Sequence, residues 1–181
     1  YLLNQERQKR MGARILKVSV SVLVLAVLIF VVVTPVGPVP GFLLGGTETE
    51  VPAAWGDTRS IDEIRFEVSS GLLPRVVIIW VVQFEGDLYV VGDGKSGWVG
   101  MLDQGGSVRM RIGDKTYSLN AQRVKNNLVP ILEAYQGKYR ADYPEIVNSF
   151  PQAMESVKSA GVFRLSTKSE KFGQSDPSDV R

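Results

Sequence analysis

A chain of 181 residues, 44% hydrophobic and 22% charged, holds about one soluble domain once a membrane segment is subtracted. It contains no cysteine and no histidine, which excludes disulfides, thiolate and imidazole metal sites, a Ser-His-Asp triad and His-ligated haem. The formal charge is +2, but five basic residues (Arg7, Lys9, Arg10, Arg14, Lys17) precede an apolar run with only Glu6 opposing them. The remainder carries 16 basic and 18 acidic residues, a balance that argues against a nucleic-acid partner.

Residues 1–14 form a basic segment expected on the cytoplasmic side. Val18 to Val33 carries no charge, and with Ile15, Leu16 and Val36 it approaches the ~20 residues a helix needs to cross ~30 Å of hydrocarbon. A single transmembrane helix over 15–36 is therefore expected. Its Val and Ile content is no obstacle, because unpaired backbone groups in lipid enforce a helix. A secretory signal peptide competes for the same signature, but the run exceeds the usual signal core and Thr34 to Pro40 has no small-x-small cleavage pattern. The next basic residue after Lys17 is Arg59, so the positive-inside rule places the N-terminus in the cytoplasm of a bacterial inner membrane and the remainder in the periplasm.

Residues 37–60 read as a Pro/Gly-rich linker leaving the membrane as an extended strut, since proline cannot continue a helix. Phe42, Leu43, Leu44 and Trp55 are candidates for contact with the interface or a partner; the plainer alternative is a linker touching its own domain.

Residues 61–167 form the folded domain. Ile64 to Val68 alternates apolar and polar, as a half-buried strand does. Arg75 to Phe84 is long and β-branched, as expected of a strand buried on both faces. Glu85-Gly86-Asp87 turns into Leu88 to Val91. A polar loop, Gly92-Asp93-Gly94-Lys95-Ser96-Gly97, precedes the apolar segment Trp98 to Leu102. Ser107 to Ile112 and Lys115 to Ala121 make a second hairpin about Gly113-Asp114.

Helix signals follow. Asn127 can cap a helix whose first turn tolerates Pro130; Asp142 with Glu145 and Ser149 with Gln152 have capping-box spacing. Gly161 reads as the stop of the last helix, Val162 to Ser166 as a final strand, and 168–181 as a flexible tail. The fold class is thus one transmembrane helix plus a mainly β (α+β) domain.

The order of the long strand, the Gly-Asp hairpin, the Gly-Lys-Ser-Gly-Trp loop, the alternating Ser-Val-Arg-Met-Arg-Ile strand and its Gly-Asp turn resembles the split β-barrels of the pyridoxamine phosphate oxidase and deazaflavin-dependent nitroreductase type. The resemblance covers about Ile64 to Val124, with Phe163-Arg164-Leu165 as closing strand. It implies a six-stranded split β-barrel with C-terminal helices. It also implies that Arg75, Lys95, Ser96 and Trp98 lie beside an FMN or deazaflavin, the cofactor carrying the hydride chemistry. A glycine-rich loop lets backbone donors approach a phosphate, Lys and Ser add polar contacts, and an indole can stack on a ring. The chain has Ser70-Gly71-Leu72-Leu73-Pro74-Arg75 where nitroreductase relatives usually carry Gly-Arg-x-Ser-Gly.

Simpler readings exist for each feature: a solvated turn for the loop, packing for the indoles, and salt bridges on an exposed sheet face for Arg109 and Arg111, which could alternatively grip an anionic partner. No residues suggest acid-base catalysis, and of metal sites only carboxylate ones remain open. The favoured expectation is a ligand-free barrel serving as a membrane-anchored accessory subunit, its partners membrane lipid and other membrane protein subunits. The alternative is a membrane-tethered flavin or deazaflavin oxidoreductase acting on a quinone-like or lipophilic substrate.

Overall fold

The computed structural model describes residues 2–69, 71, 73–149 and 160–167. Helix α1 spans Leu2–Val33. Its side chains over residues 14–30 are exposed, including Ile15, Leu16, Leu23, Leu25, Leu28 and Phe30 at 57–66%. Among the described residues no helix is long and apolar enough to cross a membrane. Side chains of α1 are described without a break over residues 14–30, about 25 Å of helix against ~30 Å of hydrocarbon. The expectation of a spanning helix over 15–36 is thus not supported by the described part of α1.

The helix also stops earlier than expected, at Val33. Beyond it the chain is not a strut. Val36 and Val39 exchange two backbone hydrogen bonds of 3.0 Å, and the N–H groups of Phe42 and Leu43 both donate to Val33 O at 2.8 and 2.9 Å. The prolines lack donors, but the valines between them keep theirs, and the carbonyl left open at the helix end is satisfied by the returning chain. Gly41 then pairs with Val76 through bonds of 2.9 and 2.8 Å. A Cβ on Gly41 would meet the backbone of Val33, Thr34 and Pro35, with Val33 O at 2.7 Å. Gly41→Ala is therefore expected to pry open this root. Limited proteolysis should cut within 34–43 faster, and thermal unfolding should report a loss of about 1–3 kcal/mol.

From Gly41 the chain runs as a strap over the barrel. Its short strand β1 (Thr47–Glu48) pairs in parallel with β6. Strands β2 (Glu63–Ser69), β3 (Pro74–Phe84), β4 (Asp87–Asp93), β5 (Gly106–Ile112), β6 (Lys115–Arg123) and β7 (Ala160–Ser166) are antiparallel neighbours in the order β6-β5-β2-β3-β4-β7. Pairing of β6 with β7 closes the ring. The six-stranded barrel is the expected one.

Alternation fills its interior. Ile64, Phe66 and Val68 of β2 point inward with Val81, Leu88, Val90, Met110, Leu119, Phe163 and Leu165. The long β3 is covered on both sides, as its sequence implied. Val77, Ile79 and Val81 face the core, while Trp80 and Val82 lie under helix α3 (Leu128–Tyr139). The hairpin β3–β4 turns at Glu85 and Gly86, both with positive φ (51° and 87°), so the glycine takes the conformation it tolerates best.

The apolar segment after the glycine loop is a short helix, α2 (Gly97–Met101). Two local expectations are corrected. Asn127 precedes α3 in a left-handed conformation with no side-chain cap bond, because positive φ is a state asparagine accepts. Gly161, expected as a helix stop, lies inside β7 opposite Gly92 of β4. Helix α4 (Pro144–Ser149) begins with its proline at the first position, as the sequence suggested. The Ser149–Gln152 pair lies partly, and the tail 168–181 wholly, outside the described residues.

Candidate functional site

The glycine loop and α2 bring Arg75, Lys95, Ser96 and Trp98 into one neighbourhood, but not as one ligand surface. Arg75 abuts the start of α2: a Cβ on Gly97 would lie 3.0 Å from its Nη1. Its Nε is buried without a hydrogen-bond partner. Ser96 stands at the N-cap of α2, its hydroxyl making no cap bond. Lys95 is exposed, its backbone N–H held by Asp93 Oδ1 at 2.9 Å.

Trp98 turns the other way. It is 6% exposed, edge-on to Phe66 at 5.8 Å between centroids and tilted on Phe163 at 5.7 Å. The physical reason is the glycine pair. Gly92 and Gly161 face each other across β4 and β7, and a Cβ on either would collide with Trp98 or Val99. Their missing side chains make the recess that α2 plugs, so these two glycines serve core packing rather than phosphate approach.

A flavin or deazaflavin needs polar contacts for its phosphate or side chain and a face for its ring. Arg75 and Ser96 supply part of the first. Trp98 cannot supply the second, since its ring is enclosed by core residues, and the predicted set does not fit the cofactor as a whole. Among the described residues no group of three or more acidic side chains could hold a metal ion.

The remaining predicted residues belong mostly to the strap. Leu44 is 1% exposed and so closed to a partner, half-buried Trp55 packs edge-on against Tyr117 at 5.2 Å, and Phe42 and Leu43 are 44% and 52% exposed. Arg109 reaches Glu67 and Glu48, each at 3.3 Å, and Ser118 donates to Glu48 at 2.7 Å. Arg111 donates to Leu44 O at 3.1 Å, Gly113 O at 2.7 Å and Asp114 at 3.2 Å. Buried Thr116 donates to Gly45 O at 2.7 Å. The two arginines thus clasp the strap onto β5 and β6.

Sequence reasoning missed the fastening of α3. Lys138 donates to three backbone carbonyls, Thr58 at 3.0 Å, Ile61 at 2.6 Å and Val81 at 2.8 Å. Burial lowers its pKa, partly offset by Asp62 and Asp57. The Tyr139 hydroxyl accepts from Val81 N and lies 2.7 Å from the carbonyls of Asp62 and Val81, while its ring stacks on Trp80 at 4.3 Å and 15°. Burial pushes the phenols of Tyr135 and Tyr139 up. The signal was available: Tyr135, Tyr139 and Tyr143 recur every four residues, one face of a helix.

Two open concavities border these fastenings. One, of about 610 Å³, lies between Asp57-Thr58-Arg59 and α3, with Val82, Gln83 and Ala134 beneath. At its rim Arg59 hydrogen-bonds Asp57 and holds that exposed carboxyl at a pKa of about 2. The other, of about 320 Å³, is lined by Glu63, Ile64, Arg65, Ile78, Arg111 and Gly113. Neither is lined by Arg75, Lys95, Ser96 or Trp98.

No protein-family model and no curated protein matches the sequence. Solved structures match the fold. The chain is similar to the haem storage protein HutZ of Vibrio cholerae (15% identity, TM-score 0.47, covering 61% of this chain and 84% of that one). It is also similar to a candidate 5-nitroimidazole antibiotic resistance protein of Bacteroides thetaiotaomicron (13%, 0.46, 61% and 75%). A third is a candidate pyridoxamine 5′-phosphate oxidase of Listeria innocua (13%, 0.44, 60% and 86%). The closed ring of six antiparallel strands is the one that the sequence resemblance implied.

Proposed function

We propose that this protein is a membrane-held accessory subunit whose barrel serves as a rigid docking body rather than an enzyme. The observation that carries the reading is α1. Its described apolar side chains are exposed on every side, and a helix that is hydrophobic all round requires lipid or other helices around it. Val18 to Val33 carries no charge and the helix continues to Val33, so a bilayer is the environment that satisfies the whole surface. The five basic residues before it set the barrel on the periplasmic side of a bacterial inner membrane. Partners are membrane lipid and the helices of a larger complex.

The test is fractionation followed by mild-detergent purification. The chain should stay in the membrane pellet through an alkaline carbonate wash and co-migrate with further subunits. Release by carbonate would overturn the anchoring, and migration alone would overturn the subunit role.

A second reading, a tethered flavin or deazaflavin oxidoreductase, is favoured by one observation, the unpartnered Nε of Arg75. An absorption spectrum of the purified protein separates the two. A colourless preparation that takes up no added FMN or deazaflavin is expected, whereas a stoichiometric yellow chromophore would establish the oxidoreductase.

A further inference from the structure

We infer that the concavity beside the strap is a binding site for the phosphate-bearing headgroup of an anionic phospholipid. The inference rests on the membrane-held reading above. Arg65 and Arg111 stand directly opposite each other on β2 and β5, an arrangement of like charges that is unfavourable across strands unless an anion lies between or beside them. Arg111 is engaged with Leu44 O, Gly113 O and Asp114. The guanidinium of Arg65 makes no hydrogen bond or ion pair among the described residues. Glu63 lies in the same concavity and forms no ion pair with Arg65 among the described residues. A half-buried guanidinium in a hollow of about 320 Å³, with five donors in a fixed fork, suits a phosphate.

The surroundings choose the source of that phosphate. Arg111 Nη1 holds Leu44 O, and the residues just before it, Phe42 and Leu43, expose apolar side chains while their N–H groups bind the last carbonyl of α1. Val36 and Val39, 49% and 54% exposed, continue that apolar surface toward the helix. A hollow that holds an arginine without an ion pair, joined through Arg111 and Leu44 O to an apolar collar that is itself fastened to the end of an apolar helix, matches a molecule that is anionic at one end and hydrocarbon at the other. A soluble phosphate compound would use the arginines and leave the collar exposed.

Native mass spectrometry of the full chain in mild detergent, titrated with phosphatidylglycerol or phosphatidylcholine, tests this. Phosphatidylglycerol should bind about tenfold more tightly, the worth of one charge-assisted contact. Arg65→Gln should abolish that preference with the thermal unfolding temperature unchanged, and Glu63→Gln should increase it. Millimolar inorganic phosphate should not displace the lipid. Equal binding of the two lipids in the unmodified chain, or a preference that survives Arg65→Gln, overturns the site. Displacement by inorganic phosphate assigns it to a free anion instead and overturns the lipid. Release by carbonate would signal failure of the membrane reading itself, whereas a carbonate-resistant protein without lipid preference removes only this inference.

Discussion

Trp98→Ala is expected to destabilise the barrel by about 3–5 kcal/mol, the range for truncating a large buried aromatic, and to lower its unfolding temperature by roughly 10–20 °C. The indole is 6% exposed, packs on Phe66 and Phe163, and fills a recess made by two opposed glycines. The surrounding strands are fixed by barrel closure, so the site cannot collapse to close the void. Phenylalanine should recover part of the loss, since it restores ring area but leaves the second ring's volume empty. Thermal melts of the full chain followed by circular dichroism give the answer. A variant with unaltered melting that instead loses a bound chromophore would move Trp98 from the core to a ligand surface, and with it revive the cofactor reading.

Lys138→Met should cost about 2–3 kcal/mol, less than three separate charged hydrogen bonds would suggest, because these are only partly buried and desolvation of the ammonium offsets them. Thr58, Ile61 and Val81 each lose a donor. The loss should concentrate in the contact of α3 and residues 57–61 with the barrel. Hydrogen exchange should therefore speed there before it does in β2 or β5.

The pH dependence has a definite sign. Burial depresses the folded-state pKa of Lys138 below 10.5. Between that lowered value and 10.5 the unfolded chain binds more protons, and stability from this group rises with pH. Tyr135 and Tyr139 act oppositely: their pKa values are raised from 10.0, so above about pH 10 the unfolded chain loses phenolic protons first and stability falls. Unmodified protein should thus gain stability from Lys138 between its lowered pKa and 10.5, opposed above about pH 10 by the decline that the two phenols impose. Lys138→Met should keep only the decline. Denaturant titrations across that interval check it, and an unchanged rising limb in the variant would remove Lys138 as its source.

The residues that cross-link distant segments are those the sequence concealed. Arg109 and Arg111 were visible as two charges on one face of a strand, but nothing local indicates that the strap, some 60 residues earlier, supplies their acceptors at Glu48 and Leu44. Lys138 reads as an ordinary solvated lysine until Thr58, Ile61 and Val81 converge on it.

By itself the sequence determined what depends on near neighbours: the apolar run from Val18 to Val33, the alternation of β2 and β5, the doubly buried β3, and the Gly-Asp turns that set both hairpins, because period and turn chemistry act over a few residues. Tertiary structure alone decided that the proline-rich segment folds back to cap α1, that residues 41–48 bind the barrel, and that Gly92 and Gly161 open a space for Trp98. Those outcomes depend on which edges and hollows the closed barrel leaves unfilled, and these exist only once strands far apart in the chain have met.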